Sequence, residues 1–347
     1  MKKVITLAIA LLLALATAGL VRAESSRTVY VYNWTEYIPE GVIDQFTKET
    51  GIKVVYATYE SNEAMYAKLK VMNSRGFDVI FPSSYFVNKM GKEGMLLPID
   101  KSKLNNFKNM DSRHLNHSFD PGNKYSVPYT WGGTGILANP ERVGPMPEKW
   151  SDLWDSRFKG TLLLQDDLRE VFGMALKKRG YSLNDTNPDH IREAYEDLVA
   201  LMPSVRTFNS DSPKIPFLNE EVAAGMIWNG EAHVAMGELD TLQFVWPEEG
   251  AIFWMDCMCI PAGARNVDEA YAFINFLLRP EVAATMVREW GYATPNMAAI
   301  PLLDEATRND PAIFPPISVM EKSEFQNDIG EAITLYEKYW NKLKANQ

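Results

Sequence analysis

Carboxylates and aromatic rings recur in this sequence directly after short apolar runs. Asn33-Trp34-Thr35-Glu36-Tyr37 follows one run, Ser83-Ser84-Tyr85 a second and Asp166-Asp167 with Glu170 a third. Trp228 closes a fourth run, ahead of Asn229 and Gly230, and Trp254 and Asp256 stand two apart inside a fifth. This combination suits an elongated cation. Aromatic faces attract ammonium and methylene groups together, at roughly 0.5–2 kcal/mol per cation–π contact. Carboxylates pair with the ammonium groups through charge-assisted hydrogen bonds, which strengthen where rings exclude water. No nucleophile constellation accompanies them. Paired carboxylates among aromatic rings also equip glycoside hydrolases, with Asp167 and Glu170 as acid and base and the tryptophans as sugar platforms.

Each feature also has a purely structural reading. Asp167-Leu-Arg-Glu170 fits a helix capping box. Trp228 and Trp254 fit a core, and Trp34 and Tyr37 fit ordinary packing after a strand. What joins them is position, because open parallel sheets bind ligands beyond the carboxyl ends of their strands.

The elements that would place them there alternate strand and helix. Thr28–Tyr32, Ile52–Ala57 and Asp78–Phe81 read as strands. Between them lie a helix opened by Pro39 and closed by Gly51, and a helix over Glu63–Met72. This β-α-β-α-β order implies an α/β fold with a parallel sheet. The grammar returns in strand Gly160–Leu164, a helix from Leu168, helix Pro188–Leu201, and strands Gly225–Trp228 and Ala251–Ile260. Helices over Asp268–Leu278, Glu281–Trp290 and Asp328–Leu343 complete it.

The 347 residues are enough for two domains. Lys2 and Lys3, an apolar run over Val4–Leu20, and Val21-Arg22-Ala23 read as a secretory signal peptide (1–23) cleaved after Ala23, so that the mature chain is secreted. Loss of Lys2, Lys3 and Arg22 leaves 32 of the 35 basic residues against 45 acidic ones. So acidic a chain disfavours nucleic acid and would steer cations inward. Cys257 and Cys259 share one strand face and read as buried free thiols, since neighbours that close strain a bridge. His114 and His117 lack the company of a zinc site and read as surface or turn residues, so no metal and no cofactor is expected.

Several stretches carry a family likeness. YNWTEYIPEGVIDQFTKETGIKV (32–54), SDLWDSRFKGTLLLQDDLREVFGMAL (151–176), GMIWNG (225–230), VWPEEGAIFWMDC (245–257), GYATPN (291–296) and FQNDIGEA (325–332) are among them. The chain resembles the spermidine/putrescine-binding periplasmic proteins of bacterial polyamine ABC importers over essentially its whole mature length. The resemblance implies a two-lobed, type II periplasmic binding protein, each lobe an open, mostly parallel sheet flanked by helices, with the ligand in the cleft between them. It implies an N-terminal lobe of 24–132 plus 256–300 and a second lobe of 133–255 plus 301–347. The implied partners are spermidine, more weakly putrescine, and a membrane permease, with the protein a monomer and not an enzyme. The matching carboxylates are Asp167, Glu170 and Asp256. The matching rings are Trp34, Tyr37, Tyr85, Trp228, Trp254 and Tyr292, and Thr35, Glu36, Ser83, Ser210 and Gln326 complete the set. Thr35-Glu36, Trp254 and Gln326 resemble the spermidine-preferring branch. The expected arrangement has Glu170 and Asp256 on one terminal ammonium with Trp254 against its propyl arm, Asp167 on the secondary amine, and Glu36 with Thr35, Gln326 and tyrosine hydroxyls at the far end. Cys257 and Cys259 depart from it, replacing Ser and Ala.

Overall fold

A computed structural model describes residues 27–35 and 37–345. The proposed leader and Glu36 lie outside the described residues. The strands are β1 (Thr28–Trp34), β2 (Lys53–Tyr59), β3 (Val79–Ile80), β4 (Ser126–Ala138), β5 (Leu162–Leu164), β6 (Val205–Phe208), β7 (Ala224–Trp228), β8 (Gln243–Val245), β9 (Ile252–Cys259) and β10 (Glu324–Phe325). They hydrogen-bond in the order β2-β1-β3-β9-β4-β7-β5-β6, with β10 added to β9 and β8 to β4. Two parallel trios stand at the ends, β2-β1-β3 and β7-β5-β6. The antiparallel pair β4 and β9 joins them. Opposite ends of β9 serve opposite halves: Ile252 and Phe253 pair with β10, and Cys259 pairs with Ile80 of β3. Likewise Ser126 begins β4 beside Cys259, while Thr134–Ala138 run against β7.

Helices cover both faces of each trio, giving the two-lobed α/β fold. On the β1 side, Phe46 of helix Val42–Thr50 packs 5.1 Å from Phe273 of helix Val267–Leu277. The opposite face takes Met65 and Leu69 of helix Asn62–Val71 with Phe86 and Met90 of helix Ser84–Lys92. Around β5, helices Leu168–Lys178, Pro188–Leu201 and Ile333–Ala345 bury Phe172, Leu198 and Tyr336 together. Each such side chain contributes about 1.5–3 kcal/mol when fully removed from water.

Most expected elements are present. Helix Pro188–Leu201 matches residue for residue, with proline at its first turn and the Asn187 side chain accepting the Asp189 amide at 2.9 Å. The helix expected from Pro39 starts at Val42, because Gly41 sits at φ 79° just before it. The last helix starts at Ile333, after a 3-10 turn over Gly330–Ala332. β4, the longest strand at 13 residues, has no counterpart among the expected elements. It carries Pro128, Gly132, Gly133 and Gly135, types that normally argue against a central strand. Its register slips between Pro128 and Thr130, so the missing proline donor falls at an irregularity of the ladder. Cys257 and Cys259 are free and buried on the Met255 face of β9, in the core shared with Leu69 and Met90. His114 corrects the surface reading: it closes a short turn but is buried, its ring 4.8 Å from Trp131, and burial lowers its pKa to about 4.

Gly225 shows how closely β7 and β5 approach. A Cβ there would strike the Leu163 carbonyl, a backbone atom with no freedom to swing aside. Gly225→Ala is expected to destabilise the protein by about 2–3 kcal/mol, seen as a lower thermal midpoint. An unchanged midpoint would mean that the β5–β7 contact is looser than described.

Candidate functional site

The strand ends converge on one cleft of about 910 Å³, its open mouth included, within the size range of small-molecule sites. Thirteen of the fourteen expected site residues line it, Glu36 being undescribed. β1 delivers Trp34, Thr35 follows it, and Tyr37 lies just beyond. Ser83 and Tyr85 follow β3, Asp167 and Glu170 follow β5, and Trp228 ends β7. Trp254 and Asp256 come from the middle of β9, and Gln326 follows β10. Ser210 and Tyr292 complete the set.

The rings form a run across the cleft. Trp34 stands 6.5 Å from Tyr37, Tyr37 is 6.4 Å from Tyr292, and Tyr292 is 5.1 Å from Trp254. The Trp34 indole donates to the Phe81 carbonyl at 2.9 Å, which fixes its ring. Glycines make room for two of these rings. A Cβ on Gly132 would come within 2.7 Å of Trp254, and one on Gly230 within 2.5 Å of Tyr292.

Asp256 is buried and takes two hydroxyl donors, Tyr37 to Oδ2 and Ser83 to Oδ1, each at 2.6 Å. Burial still lifts its pKa to about 6, against the pull of those donors. Glu170 accepts from the Gln326 amide at 3.0 Å through Oε1, and Oε2 has no hydrogen bond of ordinary geometry. Burial, then the charge of Asp167, raises its pKa to about 8, opposed by the nearby Thr134 hydroxyl and Trp228 indole. Asp167 joins its two readings. Its Oδ1 caps helix Leu168–Lys178 by accepting the Arg169 and Glu170 amides at 2.8 and 3.1 Å, and the same side chain lines the cleft. Burial raises its pKa as well.

Gln326 stands with Glu170, not at the end remote from it, because its amide bonds the Phe253 carbonyl at 2.8 Å and extends the β10–β9 pairing. Arg169 turns away from the carboxylates, to Asn184 at 2.9 Å and the Asn327 carbonyl at 3.0 Å. Sequence reasoning missed Tyr59, Glu60, Asn62, Asp211, Glu231 and Trp290, which also line the cleft. Glu60 and Asn62 lay one strand further along, at the end of β2, where the same strand-end rule would have found them. Among the described residues the lining holds no Lys, Arg, His or Cys. Such a cleft favours a cation with apolar stretches and offers an anion no counter-charge from its described lining.

The fold and this cleft define a solute-binding protein that holds a small molecule between two lobes. The chain belongs to the bacterial extracellular solute-binding proteins, whose family model matches residues 41–315. It is 53% identical over 326 residues, 94% of each chain, to the spermidine/putrescine-binding periplasmic protein of Salmonella typhimurium. It is 45% identical over 325 residues, 93% of this chain and 90% of the other, to spermidine/putrescine-binding periplasmic protein 1 of Haemophilus influenzae. The crystal structure of the spermidine/putrescine ABC transporter substrate-binding protein of Streptococcus pneumoniae superposes with a TM-score of 0.82 at 40% identity, over 92% of this chain and 99% of that one. Among the described residues no helix is long and apolar enough to cross a membrane.

Glu170 titrates higher in the folded chain than unfolded. Its stability contribution is therefore fully present below about pH 4.5 and is lost as pH rises through about 8. Glu170→Gln removes that loss and keeps an acceptor for Gln326. The ligand-free variant is expected to melt above the parent at pH 8.5, by about 1–3 kcal/mol, and to lose the advantage by pH 5. Equal gaps at the two pH values would show that Glu170 does not titrate between them.

Proposed function

We propose that the protein is a periplasmic solute-binding protein that captures a polyamine, spermidine in preference to putrescine, and hands it to an ABC-type membrane importer. The observation that carries this reading is the cleft itself: buried carboxylates from separate strands, a run of rings between them, and no basic side chain in the described lining. Closely similar proteins named for spermidine and putrescine support it. On this reading Glu170 and Asp256 hold one terminal ammonium with Trp254 against the adjoining methylenes, and Asp167 meets the secondary amine. Thr35, Glu36 and tyrosine hydroxyls receive the other end, while Gln326 steadies Glu170. A neutral sugar would leave these carboxylates without cations, and nothing beyond their number favours hydrolysis. The protein acts as a monomeric carrier, not as an enzyme.

The lobes of this reading are 24–132 plus 256–300 and 133–255 plus 301–347. The changes of partner along β4 and β9 support boundaries near Gly132 and Asp256. Closing about those strands would bury the ligand and create the surface that the permease reads.

Titration calorimetry of the ligand-free protein with spermidine, putrescine and a neutral sugar tests the proposal. Spermidine is expected to bind one-to-one, putrescine more weakly and the sugar not at all. Asp256→Asn should weaken spermidine by about 2–5 kcal/mol, thirtyfold or more, because a buried ammonium loses its counter-charge. Binding of neither amine, or release of sugar from chromogenic glycosides, would overturn the reading.

Binding should also expel protons near neutral pH, since an ammonium pulls the carboxyls that titrate at about 8 and 6 back into ionised form. The observed heat at pH 7 should accordingly vary with the ionisation enthalpy of the buffer. Heats that are identical in phosphate and Tris would contradict the protonated carboxyls.

A further inference from the structure

Asn62 touches none of the carboxylates, yet it governs the direction of two hydroxyl groups in the cleft. It opens helix Asn62–Val71 and is 3% exposed. Its Oδ1 accepts the Ser83 backbone amide at 3.0 Å, and its Nδ2 donates to Ser83 Oγ at 3.0 Å and to the Tyr85 hydroxyl at 3.1 Å. This orientation is forced. A backbone N–H can only donate, so it must meet the amide oxygen, which leaves the two amide protons to the two hydroxyl oxygens. Ser83 Oγ, already an acceptor from Asn62, sends its own proton to Asp256 Oδ1 at 2.6 Å. Tyr85 likewise accepts from Asn62 and keeps a second lone pair.

We propose that Asn62 is a positioning residue of the cleft: it fixes Ser83 as a donor to Asp256 and Tyr85 as an acceptor, and so sets where a ligand's ammonium group docks. The relay Asn62–Ser83–Asp256 holds the carboxylate by one oxygen while Tyr37 holds the other. Each Asp256 oxygen then has a lone pair left in a fixed direction. An amide at the start of a neighbouring helix therefore acts on the docking position through Ser83 and Tyr85. The ammonium as ligand rests on the polyamine reading; the relay does not.

The relay is tested first without ligand. Carboxyl carbon NMR follows the titration of Asp256 in the parent, Asn62→Ala, Ser83→Ala and the double variant. The groups facing Asp256 are the Tyr37 and Ser83 hydroxyls, with the Tyr59, Tyr129 and Tyr292 phenols near enough to sense its charge. All four tyrosines are raised well above pH 10 and stay protonated while Asp256 titrates, and Glu63 (about 7) and Glu170 (about 8) are followed as separate carboxyl resonances. Its midpoint is expected to rise in both single variants, by roughly one pH unit for Ser83→Ala, and no further in the double variant. A midpoint unmoved by Asn62→Ala, or shifts that simply add in the double variant, would overturn the proposal. Asn62→Ser replaces Asn62→Ala if the latter fails to fold, with the same expectation.

Spermidine binding to the same four proteins is then measured. Each single variant is expected to bind about three- to tenfold more weakly, and the double variant no worse than the weaker single one. Failure of the parent to bind spermidine, with the NMR coupling intact, would remove the polyamine reading and leave Asn62 in its role. Binding by the parent with no NMR coupling would remove Asn62 alone.

Discussion

The structure depends on holding carboxylates out of water with no basic side chain beside them in the described cleft. Glu170 and Asp256 are 3% and 5% exposed. Burying such groups alone costs several kcal/mol each, which a protein lowers by keeping the proton or by supplying hydrogen bonds. This chain does both: hydroxyls and an amide bond the carboxyl oxygens, and their pKa values still lie well above the ordinary carboxylate range. Burial of these carboxyls therefore makes the cleft a place of electrostatic cost. A cation that enters releases it, so part of the binding energy exists before any ligand arrives.

Something stiff must hold groups in so unfavourable a place. The β4–β9 pair does this, since it lies between the two parallel trios and belongs to both. Alternation along β9 sets Trp254 and Asp256 toward the cleft and Met255, Cys257 and Cys259 into the core. One register step would exchange the two sets, putting thiols in the cleft and a carboxylate in the core. The glycines of β4 serve the same end, because Gly132 leaves the space that the Trp254 ring fills. Packing, register and site geometry are thus one arrangement seen at three scales.

This explains what could be read from the sequence and what could not. The β-α-β order, the helix caps and the residues after each strand follow from local rules, and they located ten of the thirteen cleft residues. β4 was invisible because its proline and glycines contradict strand propensity, and their purpose appears only when Phe253 and Trp254 are seen against them. The family likeness, not periodicity, pointed to Ser210, Tyr292 and Gln326. Gln326 was expected with Glu36 and Thr35 but bonds Glu170, because the two-residue β10 that precedes it pairs with β9 only in the folded chain. Asn62 was within reach of the strand-end rule, but its bonds to Ser83 and Tyr85 span 21 and 23 residues and appear only in the folded chain.

The two thiols of β9 have a chemical fate set by the same alternation. Disulfide exchange and alkylation proceed through the thiolate. Burial keeps both sulfurs protonated far above pH 9, and the Asp256 charge adds to that hold on Cys257. Lying fully inside the core, they are also out of reach of any oxidant in solution. The folded chain can thus carry two cysteines without forming a bridge, and their reactivity appears only when β9 leaves the sheet. They form a native chemical clock for opening of the strand on which both lobes depend.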